Sequence, residues 1–213
     1  MYLIMRVVIG SVAVVTAVSI AQVNPQVSPP CSRRTPSSSA RPVEGTVQTL
    51  VEPLFVPASL EELVKYADVV IDGSVETVLS PRVRRADKPA SLETDVVISI
   101  DEIVKGTAAW KSLKKAIVSQ PGGKLGNLEV VTPQITRLQQ GVRYILFLNS
   151  DTRSILPDYN GLPHFVITGI WTGQFDGTGG TIYVSNLAPD WTRAAHLNEK
   201  VEEFVKQIKA IAP

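Results

Sequence analysis

The chain has 213 residues, 44% of them hydrophobic, which is enough to bury the core of one domain with extensions. Its 21 Lys and Arg residues nearly balance its 20 Asp and Glu residues, which excludes long-range attraction to nucleic acid or an anionic membrane. The single cysteine, Cys31, excludes an internal disulfide framework, so an exported domain here depends on core packing for its stability.

The first 21 residues have the layout of a signal peptide. One positive charge at Arg6 precedes an apolar run, and small residues occupy the first and third positions of Ser19-Ile20-Ala21. We expect cleavage after Ala21 and a secreted or periplasmic mature protein with no stable membrane span. An uncleaved anchor is the alternative, but the run is shorter than the roughly 20 apolar residues that a spanning helix needs.

The next segment, residues 22–57, has the composition of a disordered linker. It contains seven prolines and the serine run 37–39, with few large apolar residues to offset the entropy of ordering. Cys31 lies in this linker, ten residues beyond Ala21 and therefore away from the position of a lipid-modified cysteine. We interpret it as a free thiol.

The folded domain is expected over residues 58–213 and begins with a short helix. Ser59 followed by Glu62 matches a capping box, which predicts a helix to about Tyr66. Alternating or continuous apolar patterns then predict strands over 68–79, 94–104, 114–120, 142–148 and 164–171, and 128–132 is a short apolar piece between the third and fourth of them. Gly73 falls on the inward row of the first strand, where its missing side chain permits the bend that closes a barrel.

Local irregularities and the last two elements complete the predicted domain. Asp101-Glu102 breaks the two-residue period of the second strand and predicts a bulge. A glycine-tipped hairpin is expected over 174–184, and an amphipathic helix follows from Val201 to Ile211. The sequence therefore predicts a mainly β fold, a small closed or partly open barrel with a short N-terminal helix and a C-terminal amphipathic helix.

No constellation of catalytic, cofactor-binding or metal-binding residues is evident. The two histidines, His164 and His196, are not at the spacing of a helical zinc site, and no G-x-S-x-G elbow or phosphate-binding glycine loop occurs. We therefore predict no cofactor. The alternative is a hydrolase with a dispersed site around His164, Asp158 and a nearby serine such as Ser154.

Two groups of side chains form a candidate binding surface. The basic loop after the first strand contains Arg82, Arg84 and Arg85, and basic loops contact phosphates in some small barrels. The last hairpin region contains Trp171, Phe175 and Tyr183, which as an exposed platform would bind a peptide or sugar. The alternative is that these aromatic residues cover the end of the barrel, and the export signal argues against nucleic acid as a partner.

Four segments of the chain resemble segments of known proteins. They are residues 66–75, 94–106, 120–123 and 141–148. They are similar to a group of exported bacterial proteins without assigned activity, and to the netrin-like barrel of tissue inhibitors of metalloproteinases. The resemblance implies a barrel of the oligonucleotide/oligosaccharide-binding (OB) type. Such inhibitors chelate zinc through an amino-terminal cysteine, whereas Cys31 is not at the predicted mature terminus and has no disulfide partner, so that mechanism does not carry over.

The function that follows is an exported, non-enzymatic domain that binds an extracytoplasmic protein, peptide or glycan. Its strand pattern and the lack of a catalytic set favour this interpretation. The hydrolase is one alternative. A structural envelope module that displays its flexible spacer is the other.

Overall fold

The computed structural model describes residues 45–48, 56–84, 92–133, 135–151, 161–169, 173–184, 190–191, 196 and 198–212. These residues all belong to one compact unit, Arg41–Pro213. The predicted signal peptide, most of the predicted linker and Cys31 lie outside the described residues. None of the described helices has the length and apolar character needed to cross a membrane.

The described chain is mainly β, with two helices near its ends, as the sequence predicts. The helices are α1 (Leu60–Tyr66) and α2 (Val201–Ile211). The strands are β1 (Gly45–Gln48), β2 (Val69–Val78), β3 (Arg82–Val83), β4 (Leu92–Lys105), β5 (Lys115–Pro121), β6 (Gly123–Leu125), β7 (Leu128–Val131), β8 (Arg143–Ser150), β9 (His164–Ile167) and β10 (Gln174–Asp176).

Five of these strands close into a barrel. Their order is β2-β4-β5-β9-β8, and β8 returns to pair with β2. Every pair is antiparallel except β5 with β9, which is parallel. One edge of β8 has two partners. β10 pairs with its first half and β9 with its second half. The barrel is therefore closed, and β10 extends it at one end.

The curvature of β2 has the origin that the sequence indicates. A Cβ atom at Gly73 would lie 2.4 Å from the carbonyl oxygen of Ser99, so only glycine lets the two backbones approach this closely. The β2–β4 register shifts between Asp72 and Gly73, where Asp101 is left without an opposite residue. The predicted bulge at Asp101-Glu102 is confirmed, and it bends the long strand around the barrel.

Apolar side chains form two cores on the two faces of the barrel wall. The barrel interior contains residues such as Ile71, Ile98 and Leu146. The second core lies between the barrel wall and both helices, and Phe147 and Phe204 are among its largest side chains. Because β8 contributes to both cores, its run from 144 to 148 is buried on both faces. This explains why the sequence there is almost continuously apolar.

The predicted linker needs one correction. Gly45–Gln48 lies inside the segment predicted to be disordered, yet it forms β1, which pairs in parallel with β7 in a second, three-stranded sheet with β6. The Gly45 amide donates to the Asn127 carbonyl at 3.1 Å. Pairing with a distant strand satisfies backbone groups that a composition argument treats as solvated, so the prediction is wrong for these four residues.

The predicted start of α1 with Ser59 as N-cap is confirmed, but Glu62 bonds the amide one residue before the N-cap and not that of Ser59, as a capping box would require. The hydroxyl oxygen of Ser59 accepts a hydrogen bond from the Glu62 amide at 3.2 Å, and the Glu62 carboxylate accepts one from the Ala58 amide at 2.6 Å. At the other end of α1, the Lys105 ammonium donates to the Val64 and Ala67 carbonyls, each at 2.6 Å. Burial lowers the pKa of Lys105, and the nearby Asp68 carboxylate opposes that effect.

Candidate functional site

The residues of the predicted binding surface lie in two separate places. Arg82 and Arg84 belong to a network that includes Asp151, which directly follows β8. Tyr183 pairs with Asp176 near the first residues of the same strand. Seven residue steps along the strand, from Tyr144 to Asp151 and at about 3.3 Å each, put roughly 23 Å between these regions. Arg85 and Trp171 lie outside the described residues.

Phe175 is a correction to the predicted aromatic platform. Its side chain is fully buried, and its ring centroid lies 4.8 Å from that of Phe204 and 5.5 Å from that of Phe147. Because side chains alternate along β10, Gln174 and Asp176 point to the opposite face from Phe175. The hairpin therefore presents polar side chains beside Tyr183, while Phe175 anchors the hairpin in the core.

The first polar region is the arginine cluster, which ties the segment after β2 to the barrel. It comprises Arg82, Arg84, Glu93, Asp95, Ser119 and Asp151. The Arg84 guanidinium lies 2.7 Å from Glu93 and 3.0 Å from Asp151, and the side chains of these three residues are 16%, 17% and 3% exposed. Burial acts to lower the pKa of Arg84, but the two carboxylates raise it above its ordinary value.

The second half of the arginine cluster is centred on a buried carboxylate. Asp95 is 1% exposed and lies on the outer face of β4. One of its oxygens is 2.6 Å from the Arg82 guanidinium, and the other accepts a hydrogen bond from the Ser119 hydroxyl at 2.6 Å. Two guanidinium groups thus face three carboxylates in the whole cluster. This arrangement has no surplus positive charge with which to bind phosphate.

His164 lies on the same outer face of the barrel. It pairs in register with Ile117, and its neighbours Phe165 and Ile167 point into the barrel interior. The imidazole is buried, and neither ring nitrogen has a hydrogen-bond partner among the described residues. Ser154 and Asp158 lie outside those residues, so the dispersed hydrolase site stays a prediction.

A groove between α1 and α2 holds His196, the other histidine. The groove encloses about 480 Å³ and is bordered by Glu61, Trp191 and Gln207. Two of its polar side chains already have partners within the protein. The Trp191 indole donates to the Pro57 carbonyl at 2.6 Å, and His196 Nδ1 lies 2.8 Å from Glu199. The pKa of Glu61 is lowered by a backbone hydrogen bond, by Ser59 and by the charge of His196.

The second polar region is a cavity of about 180 Å³ at the end of the barrel where β8 begins. We call it the Tyr183 pocket, and its polar lining consists of Thr136, Gln139, Tyr144, Gln174, Asp176 and Tyr183. Tyr183 is 50% exposed and lies opposite Asp176, with backbone hydrogen bonds of 2.7 and 3.1 Å between the two residues. An accessible aromatic ring therefore borders a cavity that several polar side chains line.

The floor of the Tyr183 pocket is buried and its rim is exposed. Tyr144 and Gln174 are 3% and 8% exposed, whereas Thr136 and Gln139 are exposed. The Tyr144 hydroxyl accepts a hydrogen bond from the Gln139 amide at 3.2 Å. Burial raises the pKa of Tyr144, and this hydrogen bond opposes the effect only in part. The phenol is therefore protonated, and its hydrogen is available as a donor toward the cavity.

Comparisons with known proteins give no identification. No protein-family model matches the chain, and no curated protein matches it significantly. Within the described ranges, no group of three His, Cys, Asp or Glu side chains is placed to hold a metal ion. The function must therefore be argued from the geometry of the chain itself.

Sequence reasoning identified Tyr183 but not the residues around it. The sequence predicts only a hairpin for Gln174 and Asp176, and only a buried strand for Tyr144. The alternation in Gln174-Phe175-Asp176 is a signal that identifies the two polar residues as neighbours on one face. Thr136 and Gln139 come from a loop, and no pattern in the sequence places that loop at the barrel end.

Proposed function

We propose that the protein is an exported, non-enzymatic binding domain and that the Tyr183 pocket is its ligand site. The observation that carries this proposal is the cavity beside the half-exposed ring of Tyr183, lined by side-chain amides, hydroxyls and one carboxylate. Small-molecule sites typically combine an aromatic surface with a few polar groups that fix the ligand's orientation. The pocket therefore suits a short polar ligand, such as one unit of a glycan or one side chain of a peptide.

We also propose that the barrel is of the OB type. If the barrel strands are numbered one to five in chain order, their arrangement around the barrel is 1-2-3-5-4, and strand 1 is next to strand 4. The pair of strands 3 and 5 is parallel. This order and this parallel pair are those of an OB barrel, which supports the proposal. The similarity to netrin-like barrels belongs to the same proposal.

OB barrels commonly bind ligands on the outer face of strands 2 and 3, which here are β4 and β5. In this protein Asp95, Ile117 and Ser119 occupy that face and are 1%, 0% and 5% exposed. These buried side chains do not offer a ligand surface, and further along the same face Ser99 is partly buried and Lys115 is paired with Glu76. The Tyr183 pocket at the barrel end is therefore the better candidate.

The proposed location depends on the predicted signal peptide, residues 1–21. Cleavage after Ala21 would deliver the barrel to the periplasm or the medium, where an envelope glycan, peptide or protein is the available partner. Sequencing the amino terminus of the protein isolated from those fractions tests this point directly. We expect Gln22 as the first residue, and recovery of residues 1–21 on the exported protein contradicts cleavage.

The binding proposal is tested with the full chain purified from cells that express it. Ligand-observed NMR is used to screen neutral sugars, acidic sugars and short peptides against the wild type and Tyr183→Ala. We expect at least one class to bind the wild type and Tyr183→Ala to weaken that binding about tenfold or more. Tyr66→Ala is the matched control, because Tyr66 is also 50% exposed but lies on α1.

Two results would contradict the proposal. One is that no ligand class binds the wild type at millimolar concentration. The other is that Tyr183→Ala and Tyr66→Ala weaken binding equally, which would place the ligand elsewhere.

A further inference from the structure

The geometry points to a neutral carbohydrate as the ligand of the Tyr183 pocket, with one sugar ring seated in it. This inference rests on the proposed function, because it names the ligand class of the proposed site. Three features of the pocket carry it: its size, its balance of hydrogen-bond donors and acceptors, and its charge.

The size of the pocket limits the ligand to a single small unit. Its volume is about 180 Å³. Pockets for drug-sized molecules are larger, at about 300 to 1,000 Å³. One sugar ring, or one amino-acid side chain, is of the right size. A longer ligand would have to continue out of the pocket past the exposed residues Thr136 and Gln139.

The polar lining favours a ligand that both donates and accepts hydrogen bonds. Gln139 and Gln174 each carry a side-chain amide, which supplies donors and an acceptor, and the phenol hydrogen of Tyr144 adds a donor. Asp176 adds carboxylate oxygens, one of which accepts from the Thr178 amide at 2.8 Å. Sugar hydroxyls match this mixture, because each hydroxyl is both a donor and an acceptor.

The same comparison disfavours a basic side chain as the ligand. A lysine or arginine side chain offers donors only, so it would satisfy Asp176 and the amide oxygens of Gln139 and Gln174 but leave the N–H donors of these two residues without an acceptor. A buried donor without an acceptor is costly, and Gln174 is only 8% exposed. The ring of Tyr183 suits either ligand, since its face accepts a cation or the C–H groups of a sugar.

The charge of the pocket disfavours acidic ligands. Asp176 is its one charged lining residue within the described chain, and no Lys, Arg or His lines it there. The neighbouring Arg143 is held by two hydrogen bonds to Asp72, one of them at 2.8 Å. An acidic sugar or a phosphate would therefore meet a carboxylate without a compensating cation, so a neutral sugar is the preferred class.

Binding by the full chain is measured by saturation-transfer NMR and titration against four classes of probe, with the two kinds of neutral sugar counted as one class. These are neutral hexoses and N-acetylhexosamines, a uronic acid, a lysine peptide and an arginine peptide. We expect the wild type to bind neutral sugars and to bind the uronic acid at least tenfold more weakly. Tyr183→Ala should weaken neutral-sugar binding about tenfold or more, and Tyr183→Phe, which keeps the ring, should stay within about threefold of the wild type.

Two further variants and an unfolding measurement distinguish damage to the binding site from a loss of folding. Gln139→Ala removes an exposed amide of the rim and should weaken sugar binding about fivefold, while Tyr66→Ala should bind like the wild type. Urea unfolding should give the same midpoint for Tyr183→Ala as for Tyr66→Ala. Binding of the basic peptides alone, with the same dependence on Tyr183, overturns the carbohydrate inference but leaves the binding proposal standing. Binding of no probe contradicts both.

Discussion

The arginine cluster and the Tyr183 pocket are both polar regions built at opposite ends of β8, but their polar groups are used differently. In the arginine cluster, guanidinium groups and carboxylates lie 2.6 to 3.0 Å from one another. In the Tyr183 pocket, amides, hydroxyls and a carboxylate surround a cavity. Polar groups that contact each other stabilise a fold, whereas polar groups that converge on a cavity are arranged for a ligand.

From this comparison we expect the largest fall in the free energy of unfolding when an ion pair of the arginine cluster is removed. Arg84→Met keeps much of the aliphatic stem but removes the charge between Glu93 and Asp151. Two carboxylates that are largely buried then lose their shared cation, and we expect the free energy of unfolding to fall by about 3 kcal/mol. Urea unfolding monitored by tryptophan fluorescence measures the change.

The control for Arg84→Met is an exposed ion pair on the same barrel. Lys115 and Glu76 lie 2.6 Å apart, but their side chains are 47% and 41% exposed. Water screens such a pair, so Lys115→Met should cost about 0.5 kcal/mol or less. Equal losses in the two variants would mean that burial of the arginine cluster contributes nothing. Sugar binding by the folded fraction should be unchanged in both variants, since neither residue lines the Tyr183 pocket.

A smaller loss is expected when the hydrogen bond to Asp95 is removed. Ser119→Ala deletes a buried donor 2.6 Å from the Asp95 carboxylate, which keeps its ion pair with Arg82. Hydrogen bonds to charged groups contribute about 1.5 to 3 kcal/mol, so we expect a loss of about 2 kcal/mol in urea unfolding.

Ser99 provides the matched control for Ser119→Ala. Ser99 lies on the outer face of β4, as Asp95 does, two residues after Val97. Its side chain is partly buried. Ser99→Ala should change the free energy of unfolding by about 0.5 kcal/mol or less. If Ser119→Ala is equally mild, the Asp95 hydrogen bond is not a source of stability and the arginine cluster is held by its ion pairs alone.

The sequence predicted the barrel because its determinants are local. Alternation along β2, the apolar run of β8, the glycine at position 73 and the N-cap serine of α1 can each be recognised within a few neighbouring residues. Short-range periodicity also located α2, whose buried residues include Phe204 and Ile208. These local signals do not decide between a closed and a partly open barrel, and it is the pairing of β8 with both β2 and β9 that closes it.

The candidate site could be predicted only in part, because its determinants are long-range. Arg82 and Arg84 looked like a basic loop, since the sequence does not show that Glu93 and Asp95 in the next strand neutralise them. Phe175 is predicted as a platform residue because the sequence does not show that its side chain packs on α2. The two segments are far apart in the chain. Asp72 is 4% exposed and paired with Arg143, 71 positions further along the chain, and no local pattern in the sequence indicates that pair.

The smallest expected effect concerns the floor of the Tyr183 pocket. Tyr144→Phe removes a hydroxyl that accepts one hydrogen bond from the backbone of exposed Gln139, so at neutral pH the loss of stability should stay below about 1 kcal/mol. The variant is more informative at high pH, because burial raises the pKa of the Tyr144 phenol above its ordinary value of 10.0.

The sign of the pH effect follows from the protons bound in each state. Above about pH 10, the unfolded chain loses the Tyr144 proton while the folded protein retains it, so the free energy of unfolding falls as pH rises. Below that pH the contribution is fully present. Tyr144→Phe lacks this group, so the stability gap between it and the wild type should narrow or reverse between about pH 9 and pH 11.

Urea unfolding of both proteins across that range measures the effect, and other titrating groups, such as Lys105, cancel in the difference between them. A gap that stays constant with pH would show that the phenol titrates alike in folded and unfolded chains. The hydroxyl would then be solvated, and the pocket floor would not be the dry, protonated donor on which recognition of a sugar hydroxyl depends.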